Sequence, residues 1–147
     1  MADPRSAPLL AVSVCLSDGQ RILVVERGRG AFAGKLSLPG GKVRFGETLL
    51  TAARRELAEE TRLSVGDLAF LTLHEAIDDA FHAVIAVYAG VLDSDDAPQA
   101  GDDAASVHLL TIDEIRRAEL RKQTTDGLAA VAERALEALS HGTKAGP

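Results

Sequence analysis

Residues 9 to 16 (Leu-Leu-Ala-Val-Ser-Val-Cys-Leu) and 22 to 25 (Ile-Leu-Val-Val) are apolar and carry β-branched side chains, with the turn-forming Ser17-Asp-Gly-Gln20 between them. This pattern predicts a β-hairpin. Residues 26 to 35 alternate glycine with basic side chains and predict a surface loop that concentrates positive charge. Leu36 to Gly46 reads as two short extended pieces about a Pro39-Gly40-Gly41 break. From Glu47 to about Thr61, Leu49, Leu50, Ala53 and Leu57 recur at helical spacing with charged residues between them, predicting an amphipathic helix. Residues 67 to 74 and 81 to 92 predict two further strands, and 106 to 110 a short one, after an aspartate-rich loop from Asp93 to Asp103. Thr111 is placed to cap a short helix through Ile115. A last helix is predicted from about Thr125 to Ser140, capped by Thr124 or Thr125, followed by a frayed tail at 141–147.

A chain of 147 residues, 46% hydrophobic and 26% charged, is expected to form one domain (1–147, core about 9–140) with a real core. The apolar run from Pro8 to Leu16 is about half of the roughly 20 residues a membrane helix needs. No secretory leader pattern opens the chain, and the single cysteine, Cys15, sits in an apolar stretch, so a buried thiol and a cytoplasmic location are expected. With 16 basic against 22 acidic residues the net charge is −6, and aromatic residues are only 3%; both disfavour a partner as long as a nucleic acid. An anionic ligand therefore needs positive charge from another source.

Glu56, Glu59 and Glu60 stand at i, i+3 and i+4, so one helix turn points three carboxylates into overlapping space. Their mutual repulsion becomes attraction if a divalent cation is bound, and an oxygen-only anionic set suits Mg²⁺ or Mn²⁺. A polyphosphate could then approach as the metal complex, with Arg27, Arg29, Lys35, Lys42 and Arg44 as auxiliary cations and Gly41 allowing the backbone close to the phosphates. Taken alone, three glutamates on a helix read equally as a solvated face. The surrounding span changes that reading.

The segment from Gly41 to Leu63 resembles the Nudix box, G-x5-E-x7-R-E-U-x-E-E-x-G-U with U aliphatic. Gly41, Glu47, Arg55, Glu56, Leu57, Glu59, Glu60 and Leu63 match, eight of the nine specified positions. The resemblance implies a Nudix-type α/β/α sandwich around a mixed β-sheet. It also implies metal-dependent hydrolysis of a nucleoside diphosphate linked to a further group X, with Glu56, Glu59, Glu60 and the Gly40 carbonyl as metal ligands. Arg55 would pair with and orient the carboxylates, Glu47 would sit near the helix start where negative charge is favourable, and the base would come from the box helix, Glu59 or Glu56, or from Asp102 or Asp103 in the later loop. Family members often pair, so a homodimer is the assembly implied. The single histidines His74 and His82 read as hydrogen-bonded structural residues.

The chain departs from the box at Arg62, where glycine is specified. Glycine there commonly ends the helix in a left-handed conformation, and another residue costs roughly 1 to 2 kcal/mol in that state. Chemistry is expected to survive. Leu36 also stands where many relatives carry an aromatic residue. For X, the stretches Leu36-Ser-Leu-Pro-Gly-Gly-Lys-Val, Phe81-His-Ala-Val and Gly101-Asp-Asp-Ala look most like small bacterial members resembling ADP-ribose pyrophosphatases. Against this, no proline lies between Pro39 and Pro98, where those enzymes often carry one beyond the box. Two alternatives stand beside ADP-ribose: a mutator-type nucleoside triphosphate pyrophosphohydrolase, and a nucleotide-binding regulatory module without catalysis.

Overall fold

The computed structural model describes residues 7–30, 32–101 and 104–145. Seven strands form one mixed sheet: β1 (Leu9–Ser17), β2 (Arg21–Arg27), β3 (Leu36–Ser37), β4 (Gly40–Lys42), β5 (Leu68–Ile77), β6 (His82–Val91) and β7 (Ala104–Thr111). The helices are α1 (Leu49–Thr61), α2 (Ile112–Leu120) and α3 (Leu128–Ala145).

The predicted hairpin forms and then splays. β1 and β2 pair antiparallel at Ser17 and Ile22 beside the turn. Beyond it β4 takes the vacated edge of β1 at Ala11–Ser13, and β3 takes that of β2 at Val25 and Glu26. β7 runs antiparallel along the other edge of β2, while β6 lies parallel to β1 over its whole length. Two sheet edges thus part to admit the Pro39-Gly40-Gly41 break between them.

Alternation along the central strands feeds two cores. Val12, Val14 and Leu16 of β1, with Leu23, Ala86 and Tyr88, pack against Ala52, Ala53 and Leu57 of α1. Cys15, Ile22, Val24, Val87 and Ala89 point the other way, against Ile115 of α2 and Leu128, Ala129, Ala132 and Ala135 of α3. The alanine face lets α3 sit close to the sheet. Helices on both faces make the α/β/α sandwich that the sequence implies. No described helix is long and apolar enough to cross a membrane.

Several boundaries differ from expectation. α1 begins at Leu49 because Thr48 is its cap, its hydroxyl accepting from Thr51 N–H at 3.1 Å, while Glu47 is held outside the helix. α2 starts at the expected Thr111 cap, with a full capping box to Glu114, but continues to Leu120. α3 starts at Leu128 rather than near Thr125, since Thr124 bridges to Leu36 and Gly127 is left-handed at φ 81°. Its amide at Ala129 is capped from α2, donating to Glu119 Oε2 at 2.9 Å. The tail expected to fray from residue 141 remains helical to Ala145; no proline lies between Leu128 and Ala145 to remove an amide donor.

Candidate active site

Three carboxylates of the box converge on Arg55. Its Nε donates to Glu47 Oε2 at 2.7 Å and Nη2 to Glu47 Oε1 at 2.9 Å, a forked pair. Nη1 donates to Glu56 Oε1 at 2.7 Å and Glu59 Oε2 at 3.2 Å, and Nη2 also reaches the Lys42 carbonyl at 3.0 Å. One guanidinium therefore ties the start of α1, two glutamates on its next turns, and the β4 backbone. The side chain is 16% exposed, which protects these bonds from water. Arg55 holds Glu47 far below the ordinary carboxylate range, at about 2, helped by the Arg44 N–H. The same contacts with Glu47 and Glu56 raise the Arg55 guanidinium, so it stays charged.

Glu56 lies against Gly41: a Cβ there would stand 2.6 Å from its carboxylate carbon. Glycine at the break is thus required by a carboxylate arriving from the helix. Glu60 faces the sheet and is 4% exposed. Arg27 Nη1 donates to its two oxygens at 2.9 and 3.3 Å, and Gly40 N–H donates to Oε2 at 3.2 Å. Burial pushes the Glu60 carboxyl up to about 7, although Arg27 and the Gly40 amide act in the opposite direction. Glu59 is the most open of the three, with Arg44 3.6 Å away.

The C-terminal end of α1 is fixed from the aspartate-rich loop. Gln99 N–H donates to the Thr61 carbonyl at 2.9 Å and Gly101 N–H to the Glu60 carbonyl at 3.0 Å, satisfying acceptors the helix leaves free. Asp102 and Asp103, the loop bases considered from sequence, lie outside the described residues. Arg62 adopts the left-handed conformation expected of the missing glycine, at φ 62° and ψ 22°, and its N–H closes the helix on the Ala58 carbonyl.

Among the described residues no group of three acidic, histidine or cysteine side chains stands together as a ready ion cage. Each box carboxylate is turned to an arginine instead: Glu60 to Arg27, Glu56 to Arg55, Glu59 to Arg55 and Arg44. The donor set nevertheless fits a hard divalent cation, since it is oxygen-only and anionic and includes a buried carboxyl that stays charged only beside a cation.

Next to this turn opens a cavity of about 450 Å³ on the α3 side of the sheet. Leu9, Ala11 and Ser13 of β1 and Ala83 and Ile85 of β6 form its floor, and Thr125 to Leu128 ahead of α3 form one wall. Arg27, Lys35, Gly40, Gly41 and Lys42 line the end toward the box helix. Arg29 is exposed on the 28–35 loop and does not line it, and Arg44 stands outside it beside Glu59. Phe32 and Phe81, from two different loops, meet edge to face at 5.5 Å across the cavity lining. His74, taken from sequence as structural, also faces the cavity and packs on Gly127, where a Cβ would stand 2.8 Å from its ring. His82 is exposed at the start of β6. Sequence reasoning missed this aromatic and histidine wall. The signal available was the run of small residues Ala11, Ser13 and Ala83 on strand positions that would otherwise carry core side chains.

Cys15 is fully buried and its thiol is pushed up to about 12 by loss of water, so it stays an inert core residue.

Comparison with known proteins agrees with this architecture. The model of the NUDIX domain matches residues 7–131. A Mycobacterium tuberculosis protein provisionally named 8-oxo-dGTP diphosphatase 2 is 48% identical over 61 residues, which is 41% of this chain and 43% of that protein. The match thus spans less than half the length of that relative. Among solved structures, a MutT NUDIX hydrolase from Burkholderia pseudomallei superposes with a TM-score of 0.76 at 26% identity, covering 87% of this chain and 98% of that one. The NUDIX domain of Shewanella oneidensis NrtR, complexed with ADP ribose, gives 0.73 at 25% identity and 94% coverage of both chains. A family model spanning most of the chain, over the fold and box geometry described above, establishes that this chain belongs to the NUDIX family.

Proposed function

We propose that the protein hydrolyses the phosphoric anhydride of a nucleoside diphosphate linked to a further group, with ADP-ribose or a related nucleotide as substrate. The observation that carries this reading is the Arg55 network, which gathers Glu47, Glu56 and Glu59 beside the cationic end of a cavity of about 450 Å³. That cavity is within the size range of small-molecule sites, and its apolar floor suits a base or sugar. Arg27, Lys35 and Lys42 favour the phosphates at one end.

Glu56, Glu59 and Glu60, with the Gly40 backbone beside them, would hold Mg²⁺ or Mn²⁺. A bound divalent ion neutralises phosphate oxygens and makes attacking water more acidic. The chain's own residues do the rest. Arg55 holds Glu56 and Glu59 in place. Glu59 would take a proton from water, a role supported by its being the most open box carboxylate. Glu47 anchors Arg55 and bears on the chemistry only through it. ADP-ribose is favoured by the NrtR domain, which binds it and matches 94% of this chain.

A second reading is favoured by the relative named for 8-oxo-dGTP: release of pyrophosphate from a damaged nucleoside triphosphate. Both readings use the same helix and differ in what fills the cavity. A panel of ADP-ribose, nucleotide sugars, dinucleoside polyphosphates and normal and oxidised nucleoside triphosphates separates them, with Mg²⁺ or Mn²⁺, read as phosphate released through a coupled phosphatase for the substrates without a terminal phosphate and through inorganic pyrophosphatase for the triphosphates. Preferential turnover of ADP-ribose, lost in Glu59→Gln, supports the first reading; preferential turnover of oxidised triphosphates supports the second. Ligand binding without turnover of any member, by a chain that binds the metal, would make it a binding module.

A further inference from the structure

Arg27 closes β2, four residues beyond Leu23, which packs in the core under α1. The β2–β7 register shifts between Glu26 and Arg27, an irregularity of the kind that re-aims a side chain beside a site. The guanidinium consequently meets Glu60, a residue 33 positions away that α1 delivers to the same point. Glu60 is 5% exposed and Arg27 26% exposed at the side chain, so one partner is sealed in while the other borders the cavity.

Arg27 differs in this from Arg55. Arg55 is spread over three carboxylates and a carbonyl and has no freedom to leave. The side-chain bonds of Arg27 run from one nitrogen to one carboxylate. A buried carboxylate stripped of its cation is strongly destabilised, so Glu60 retains Arg27 until another cation relieves it. Once relieved, the guanidinium already borders the end of the cavity where a phosphate would lie, and a planar fork suits phosphate as well as carboxylate.

We propose that Arg27 is a placeholder cation: it holds Glu60 in the metal-free protein and passes to a substrate phosphate when a divalent ion takes Glu60. The inference rests on Glu60 as an ion ligand and adds a coupling to that reading. Ion and nucleotide favour each other's binding through one arginine, beyond any direct contact between them.

The test uses inorganic pyrophosphate, the part shared by both substrate readings, titrated calorimetrically into EDTA-treated full-length protein. Glu60→Gln removes the charge that retains Arg27, so metal-free pyrophosphate affinity is expected to rise about tenfold, as for one freed charge-assisted pair. Glu59→Gln removes an equal charge without touching Arg27 and is the control. In an Arg27→Gln background the Glu60→Gln gain is expected to shrink to the Glu59→Gln value, and Arg27→Lys is expected to restore part of it. Circular dichroism establishes that each variant folds, and the Lys variant keeps the test open if Arg27→Gln does not. A Glu60→Gln gain no larger than the control, a gain that survives loss of Arg27, or no pyrophosphate binding by any variant would overturn the proposal. Mn²⁺ binding to the wild type, read separately by electron paramagnetic resonance, reports on the metal reading alone, so the two can fail independently.

Discussion

The carboxylate of Glu56 rests on the backbone of Gly41, so close that a Cβ at residue 41 would stand 2.6 Å from each of its carbon and Oε1 atoms. Helix α1 and strand β4 are therefore built to one tolerance, and the box glycine is explained by a contact as much as by a turn. Gly41→Ala is expected to displace Glu56 and lower turnover about a hundredfold, the scale of an ångström misplacement in a site. Thermal unfolding should change far less, since Gly41 is only partly buried. Steady-state kinetics and a melting curve on one preparation check both halves.

Glu47 and Arg55 set the acid limb of stability. Glu47 titrates at about 2 in the fold, below its ordinary value of 4.5, because Arg55 and the Arg44 amide favour the charged form. A lowered carboxyl contributes stability that is present above 4.5 and is lost as pH falls toward 2. Glu47→Gln should therefore flatten the decline of melting temperature between pH 5 and pH 2. An unchanged acid limb would show that the forked pair does not couple to folding.

Glu60 acts with the opposite sign. Its carboxyl titrates near 7 through burial, so the folded state takes up a proton between pH 4.5 and 7 that the unfolded state does not. This group's contribution to stability is full below 4.5 and declines as pH rises through 7. The metal-free melting temperature should fall less between pH 5 and pH 8 in Glu60→Gln than in the wild type. An ion held by Glu60, as proposed, competes with this proton, so Mn²⁺ affinity should weaken about tenfold between pH 8 and pH 6.

Arg62 holds a left-handed conformation at φ 62° that glycine would adopt without strain. Arg62→Gly should stabilise the fold by about 1 kcal/mol, raising the melting temperature by about 2 to 4 °C, with kcat and KM unchanged. A fall in melting temperature would mean that the arginine side chain, which reaches toward Gly101, contributes more than the strain costs.

The box helix was legible because its information is local. Thr48, Arg55 and the three glutamates lie within one stretch of chain, and helical spacing alone puts Glu56, Glu59 and Glu60 on neighbouring positions. The strand alternation that feeds both cores is local as well. The Arg27–Glu60 pair was not legible, since it depends on an irregularity in β2 and on a helix 33 residues further on. The start of α3 was misplaced for a related reason. Leu36 N–H donates to the Gln123 carbonyl and Thr125 N–H to the Leu36 carbonyl, holding Thr124 extended where its composition suggests a cap. That pairing sets the wall of the cavity, and the Phe32–Phe81 contact across two loops completes it. The cavity is built by these long-range contacts, which is why the box carries the family resemblance and leaves X open.

On the proposed function, the glutamates of α1 hold a divalent ion needed to cleave a phosphoric anhydride. The most direct test is turnover of ADP-ribose and oxidised nucleoside triphosphate by EDTA-treated protein, before and after Mg²⁺ or Mn²⁺ is returned, in the wild type and in Glu59→Gln. No turnover is expected without the ion, with recovery on its return in the wild type and none in Glu59→Gln. Full turnover in EDTA, or recovery undiminished in Glu59→Gln, would contradict this reading.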